Sequence, residues 1–492
     1  MVACFGALST FCPEDAAAEF RSRLQPEGGF CDRLGKAKNV LEKFFVHGGT
    51  PLVGTVRVNG SKNAALPILY SVLLTRGTTV LHNIPPLCDV TSTLELLADL
   101  GVKSGRRPDG ALELEVVKED GFEAPYELVR KMRASIYALG PLLAKRGRAR
   151  VSRPGGCNIG VRPIDLHLKG MLALGARIAN EQGYVVAEAP YLTGRRIYLG
   201  GASGSTVSGT ANVIMAAALA RGTTVIDHAA CEPEIVDLAN YLNACGAGIA
   251  GAGTPVVTIE GVRELHGSEY RVMSDRIEAG TFMIGAALTA GDVRVEGARF
   301  EHLAALIDAL EAAGVSLQVE DDAVHVTSDG DFRPVDVTAL PYPGFPTDLQ
   351  SQITVLLSLA GGISVVTEKI YPDRFIHVAE LNRLGANIRK EGNLAIIHGV
   401  ERLSGAPVMA SDLRASACLV LAGLVADGVT EINRIYHIDR GYHRIEESLK
   451  ELGAVIDRVP ADADSALLSL SPAASPALRE KLVEYLRSAT SF

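Results

Sequence analysis

The stretch Ala211-Asn212-Val213-Ile214-Met215-Ala216-Ala217-Ala218-Leu219-Ala220, followed by Arg221-Gly222 and Thr223-Thr224-Val225, decides how the chain folds. Its helical part is apolar almost all round, which suits a helix inside a layer and not one on a surface. Arg221-Gly222 stops it long before it could span a bilayer. The glycine then releases the chain into a β-branched strand.

The same pairing recurs along the chain. Apolar helices are predicted at 64–74, 134–144, 211–220, 279–290, 349–359 and 415–426, each followed by a glycine-led strand at Gly77, Gly147, Gly222, Gly291, Gly362 or Gly428. A second, amphipathic helix follows each strand, as at 303–313, and closes on Gly101, Gly175, Gly246, Gly314, Gly385 or Gly453, 68 to 74 residues apart. A glycine there suits the left-handed conformation at a helix end. Six copies of one α/β module result, each with a buried helix sheltered by neighbouring sheets. No convincing G-x-G-x-x-G turn supports a dinucleotide-binding sheet.

Six modules in 492 residues divide into two domains of three. The boundaries expected are 60–272 for the first domain and 41–59 plus 273–458 for the second, since the early strands near 44–46 and 52–58 have no module of their own. Residues 1–40 read as a loosely ordered extension and 459–492 as a peripheral tail with a helix at 476–487.

A net charge of −9 argues against general nucleic-acid binding, so clustered cations must serve local purposes. No apolar run is long enough to span a bilayer, no secretion is expected from the first residues, and the chain reads as cytoplasmic. Its eight cysteines, at 4, 12, 31, 88, 157, 231, 245 and 418, lack metal-ligand spacing and read as reduced thiols, so no metal or cofactor is expected.

Polar and cationic residues gather at the starts of the buried helices: Ser61-Lys62-Asn63, Arg133-Ala134-Ser135, Ser208-Gly209-Thr210, Ser274-Asp275-Arg276, Thr347-Asp348 and Asp412-Leu413-Arg414. Helix N-termini attract anions. Parallel helices would bring these ends to one cleft, joined by Arg440 and by the glycine-rich loop 154–167, which carries Cys157, Arg162 and Asp165. Such a cleft suits a ligand with several phosphates. Ser208 and Ser274 read as N-caps, and Asp348 as either a cap or a general base. His167, His377 and His437 read as hydrogen-bonding turn residues.

Residues 43–456 resemble the UDP-N-acetylglucosamine 1-carboxyvinyltransferases, the enolpyruvyl transferases that make the first committed peptidoglycan precursor. The motifs are Gly60–Pro67, Met132–Ser135, Pro154–His167, Phe345–Asp348, Asp412–Ser416 and Tyr436–Tyr442. The resemblance implies two inside-out α/β domains of three modules around buried parallel helices. It implies transfer of the enolpyruvyl group of phosphoenolpyruvate to the sugar 3-hydroxyl, without a metal. It makes Cys157 the acid that protonates C3, Asp348 the carboxylate handling the hydroxyl proton, and Lys62, Arg162, Arg414 and Arg440 the cations around phosphoenolpyruvate. Asn63, Arg133, Pro163, Ile164, Asp165, Leu166 and Ile370 then surround the UDP-sugar, with Ser205, Thr206, Val207 and Ser208 on the diphosphate side. The stretch Thr206–Asn212 departs from the family's Val-Gly-Ala-Thr-Glu-Asn-like pattern. Alternatives are an enolpyruvyl transferase acting on shikimate 3-phosphate or on another nucleotide, and a nucleotide-sugar sensor. A monomer is expected.

Overall fold

A computed structural model of the chain describes residues 42–130, 132–153, 163–202 and 204–461. Cys157 and Arg162, the extension 1–40 and the helix expected at 476–487 lie outside the described residues.

Each module runs central helix, strand, outer helix, glycine and, in all but the last, a hairpin. In the first, Lys62–Ser71 leads to Thr78–His82, then to Cys88–Asp99 and the hairpin Val102–Arg106 with Leu112–Val116. The other central helices are Leu139–Arg146, Val207–Ala217, Arg276–Leu288, Gln350–Ser358 and Leu413–Val425. The six closing glycines all have φ between +88° and +104°, where a side chain would be strained.

Six four-stranded sheets form the skin. In Thr223–Asp227 the buried positions alternate with more accessible ones, so one face is turned inward and the other towards solvent. The helices lie beneath, and every residue of Arg276–Leu288 is buried. The edges are managed by exchange. Each sheet takes a parallel edge strand from outside its own module: Glu123–Ala124 beside Arg148–Ser152, Arg196–Tyr198 beside Thr223–Asp227, and Glu269–Arg271 back beside Thr78–His82. These three sheets thus close a ring around the core of residues 64–272.

The second ring is closed by the start of the chain. Val53–Arg57 runs parallel to Asp292–Glu296, while Glu42–His47 enters the last sheet between Val429–Asn433 and Val455–Pro460. That central position is filled in the other five sheets by a hairpin strand of the same module. The second core accordingly combines residues 44–58 with 277–456.

The central helices start one to five residues away from the expected positions, and two of them are preceded by 3-10 turns. Arg133–Ala138 and Thr347–Leu349 are 3-10 turns, with the α-helices starting at Leu139 and Gln350. The fifth helix is buried all round without being apolar all round. Thr354 and Ser358 satisfy their hydroxyls on the Gln350 and Thr354 carbonyls at 2.8 and 2.7 Å, four residues back, which hides them from the core. Close packing is enforced at Gly140, where a Cβ would meet the Asn212 carbonyl oxygen at 2.4 Å. No helix among the described residues is long and apolar enough to cross a membrane.

Candidate active site

A cleft of about 490 Å³ lies between the two rings, in the size range of small-ligand sites. The first ring contributes Lys62, Asn63, Arg133, Pro163, Asp165, Leu166 and Ser205 to Ser208, and the second contributes Asp348, Ile370 and Arg440. Two of the remaining expected residues sit elsewhere. Ile164 is 7% exposed and packs in the first core, not on the cleft wall. Arg414 is buried behind Asp348 and reaches the cleft through that carboxylate.

The helix starts explain why charges meet here. Ser61 caps Lys62–Ser71 by accepting from Ala64 N at 3.3 Å, which points Lys62 and Asn63 out of the helix end. Asp275 caps Arg276–Leu288, accepting from Ile277 N and Glu278 N at 2.9 and 3.1 Å. That corrects the cap reading of Ser274. Ser208 is not a cap either: Thr206 accepts from Gly209 N at 3.1 Å, and the Ser208 hydroxyl turns to His167.

Two carboxylates organise the cations. Asp89, in the first turn of the outer helix Cys88–Asp99, holds Lys62 Nζ at 2.7 Å and Arg440 Nε at 3.0 Å. Burial alone would raise its carboxyl, but the Lys62 and Arg440 charges outweigh burial and hold it below the ordinary carboxylate range. Lys62 is moved in the same direction for the opposite reason: burial, helped by the like charges of Arg440 and Arg414, outweighs Asp89 and lowers its ammonium.

Asp348 caps no helix: Pro346 and Leu349 hold the N-cap positions around it. Its carboxylate accepts from Arg374 Nη1 at 2.7 Å and from Arg414 Nη2 at 3.0 Å, with Asn63 Nδ2 at 3.4 Å from across the cleft. Burial pushes it up, yet Arg414 and Arg374 win and hold it well below the ordinary value. Arg414 is fixed in turn by the Tyr442 hydroxyl at 3.1 Å, and Arg374 by Thr347 Oγ1 at 3.0 Å. A third contact crosses the cleft: buried Arg276 donates to Glu234 through Nε at 3.0 Å and Nη2 at 3.3 Å.

Sequence reasoning missed Asp89, Arg374, Glu234 and the role of Arg276. Asp89 reads as an ordinary first-turn acid, and its partner Arg440 is 351 residues away. Arg374 follows Pro372-Asp373 in a short turn, with no helix start to mark it. Of the three histidines, none lies in an open turn: His167 and His377 lie in helices, and His437 in a 3-10 helix.

A cleft between two rings of three modules, floored by helix N-termini and holding two carboxylates in webs of lysine and arginine, defines a protein that gathers anionic substrates between two halves. The chain belongs to the EPSP synthase family, described as EPSP synthase (3-phosphoshikimate 1-carboxyvinyltransferase), whose model matches residues 46–449. Among its relatives, the UDP-N-acetylglucosamine 1-carboxyvinyltransferase of Desulfosudis oleivorans is 54% identical over 419 residues, covering 85% of this chain and all of that protein. UDP-N-acetylglucosamine 1-carboxyvinyltransferase 2 of Carboxydothermus hydrogenoformans is 55% identical over 421 residues, with the same coverage. Among solved structures, the enolpyruvyl transferase NikO of Streptomyces tendae superposes with a TM-score of 0.77 at 25% identity, over 86% of this chain and 99% of its own. The EPSP synthase of Acinetobacter baumannii shares the fold, with a TM-score of 0.67 at 21% identity over 85% of this chain and 99% of its own.

Proposed function

We propose that the chain transfers the enolpyruvyl group of phosphoenolpyruvate to the 3-hydroxyl of UDP-N-acetylglucosamine and releases phosphate, the first committed step towards peptidoglycan. The observation that carries this reading is the pair of carboxylate-centred cation clusters in the cleft, Lys62–Asp89–Arg440, which bridges the two rings, and Arg374–Asp348–Arg414 on the second ring. Relatives over half identical along their whole length name the acceptor.

The chemistry balances as an addition and an elimination. The sugar oxygen bonds to C2 of phosphoenolpyruvate, its proton leaves to a base, and C3 receives a proton. C3 then gives up a proton, the C2–O bond to phosphate breaks, and the enol ether remains. Asp348 is the base. Held low by two guanidinium groups, it is a weak base before substrate binds. A phosphoenolpyruvate carboxylate or phosphate that draws Arg414 away leaves Asp348 more basic at the moment it is needed.

Lys62 and Arg440 bind the phosphate by exchanging Asp89 for it, and their charges stabilise the leaving group. Cys157 supplies the C3 proton and Arg162 a further cation, both assigned from the sequence resemblance. Asn63, Arg133 and the 163–166 and 205–208 segments hold the nucleotide-sugar, with Ile370 as an apolar contact.

The halves 60–272 and 41–59 plus 273–458 act as domains that close on the substrates and exclude water. One chain supplies both sides of the cleft, so a monomer suffices. The reaction needs neither membrane nor nucleic acid, and both substrates are cytoplasmic. The test is phosphate release from phosphoenolpyruvate with UDP-N-acetylglucosamine, shikimate 3-phosphate or UDP as acceptor. Release with the first alone is expected, and release with either of the others alone would overturn the assignment.

A further inference from the structure

Beside the two ion clusters runs a chain of neutral hydrogen bonds that the chemistry above does not use. Asn212, wholly buried in Val207–Ala217, accepts from Gly140 N through Oδ1 at 2.7 Å and donates from Nδ2 to the Ile136 carbonyl at 2.8 Å. These two backbone partners fix which end of its amide is which. The same Nδ2 lies 3.0 Å from His167 Nδ1, so that ring nitrogen must be the acceptor. The proton of neutral His167 is therefore on Nε2, which lies 3.0 Å from Ser208 Oγ and donates to it. Burial, helped by the nearby Arg133 charge, pushes the His167 pKa down to about 3, so the ring stays neutral at physiological pH.

Ser208 has no other hydrogen-bond partner among the described residues, and it lines the cleft. A hydroxyl whose oxygen already accepts from the ring has its own proton directed away from the ring. His167 itself is 2% exposed and cannot offer its ring to a ligand. Within the Thr206–Asn212 stretch, Ser208 stands where the family's Val-Gly-Ala-Thr-Glu-Asn-like pattern has a glycine, while Asn212 falls on its asparagine.

We propose that His167, locked in one tautomer by Asn212, is a positioning residue that turns the Ser208 hydroxyl proton into the cleft, where it donates to an anionic oxygen of the nucleotide-sugar; the identity of that ligand rests on the acceptor assigned above. Ser208 makes the contact and acts in binding. His167 and Asn212 act only through it.

The test is a set of four variants, read by steady-state kinetics and by calorimetric binding of UDP-N-acetylglucosamine. Ser208→Ala and His167→Phe should each raise KM and Kd for the nucleotide-sugar roughly tenfold, the loss of one hydrogen bond to a charged group, with kcat changed less than about twofold. The double variant should lose no more than either single one. His167→Gln keeps a donor at the Nε2 position and should restore binding to within about threefold of wild type. Unchanged KM and Kd in Ser208→Ala would overturn the proposal, as would multiplying losses in the double variant. A His167→Gln protein that melts like wild type but binds as poorly as His167→Phe would also overturn it. Failure of the wild type to bind UDP-N-acetylglucosamine at all would instead overturn the acceptor assignment.

Discussion

Replacing Arg374 with glutamine removes one of the two cations on Asp348 while keeping a polar side chain of similar length. In the free protein Arg374 Nη1 stands 2.7 Å from Asp348 Oδ1, and Arg414 Nη2 stands 3.0 Å from Oδ2. A unit charge about 4 Å away is worth about 4 kcal/mol at an effective dielectric of about 20. The Asp348 side chain is 26% exposed in an open cleft, and solvent there screens the interaction. About a third of that energy survives, ~1.4 kcal/mol, which corresponds to about one pH unit.

The sign follows from the charge. Losing a cation destabilises the carboxylate, its pKa rises, and the base becomes protonated at a higher pH than in the wild type. The assay is the pH profile of kcat/KM for the nucleotide-sugar, which reports groups of the free enzyme. Its acidic limb should move up by about one unit in Arg374→Gln and stay near the wild-type position in Arg374→Lys, which keeps the charge. An acidic limb that stays put in Arg374→Gln, or moves down, would refute the role given to Asp348.

Three further outcomes are expected. Asp89→Asn leaves Lys62 and Arg440 without their carboxylate; because the Arg440 side chain is 35% exposed, the loss of stability should be near the low end for a broken buried pair, about 3 kcal/mol. Millimolar phosphate should recover part of it in a thermal melt, and an unchanged melting point would count against that cluster. Glu278, which accepts from Asn59 N and Nδ2 at 2.8 and 2.9 Å where the chain passes between the rings, is pushed up to about 7 by burial and by the neighbouring Asp275. A carboxyl raised in the folded state contributes stability that is complete below its unfolded value near 4.3 and lost as pH rises through about 7, here about 3 kcal/mol. Denaturation at pH 4.5 and pH 8 should show that difference in the wild type and a smaller one in Glu278→Gln. Fosfomycin, an epoxide that alkylates the loop cysteine of this family, should inactivate the protein through Cys157, and Cys157→Asp should be active and resistant. A wild type indifferent to fosfomycin would count against the assignment of Cys157.

Much of this architecture was legible because local rules and tertiary need coincide. The helices read as apolar on every side are the buried ones, and the glycines read as helix ends have positive φ. What escaped was non-local. Nothing in Glu42–His47 announces that it will occupy the middle of the last sheet, because its partners Val429–Asn433 and Val455–Pro460 come from the far end of the chain. Lys62 stands out because a lysine beside Asn63 at the mouth of an apolar helix has no packing purpose, and Asp348 because it sits between Pro346 and the apolar run from Leu349. Asp89 and Arg374 carry no such mark: each looks like an ordinary surface charge until the fold brings Arg440 or Asp348 within 3 Å. Asn212 is the one polar member of the apolar run Ala211–Ala220, yet its use depends on Gly140 and His167 meeting it from another module.

The enolpyruvyl transfer is tested most directly by the structure of the product. Incubation with equimolar phosphoenolpyruvate and UDP-N-acetylglucosamine, followed by NMR of the nucleotide-sugar, should show a vinyl ether at the sugar 3-oxygen, formed in step with one equivalent of free phosphate and absent without either substrate. Phosphate released while the nucleotide-sugar is recovered unchanged would contradict it.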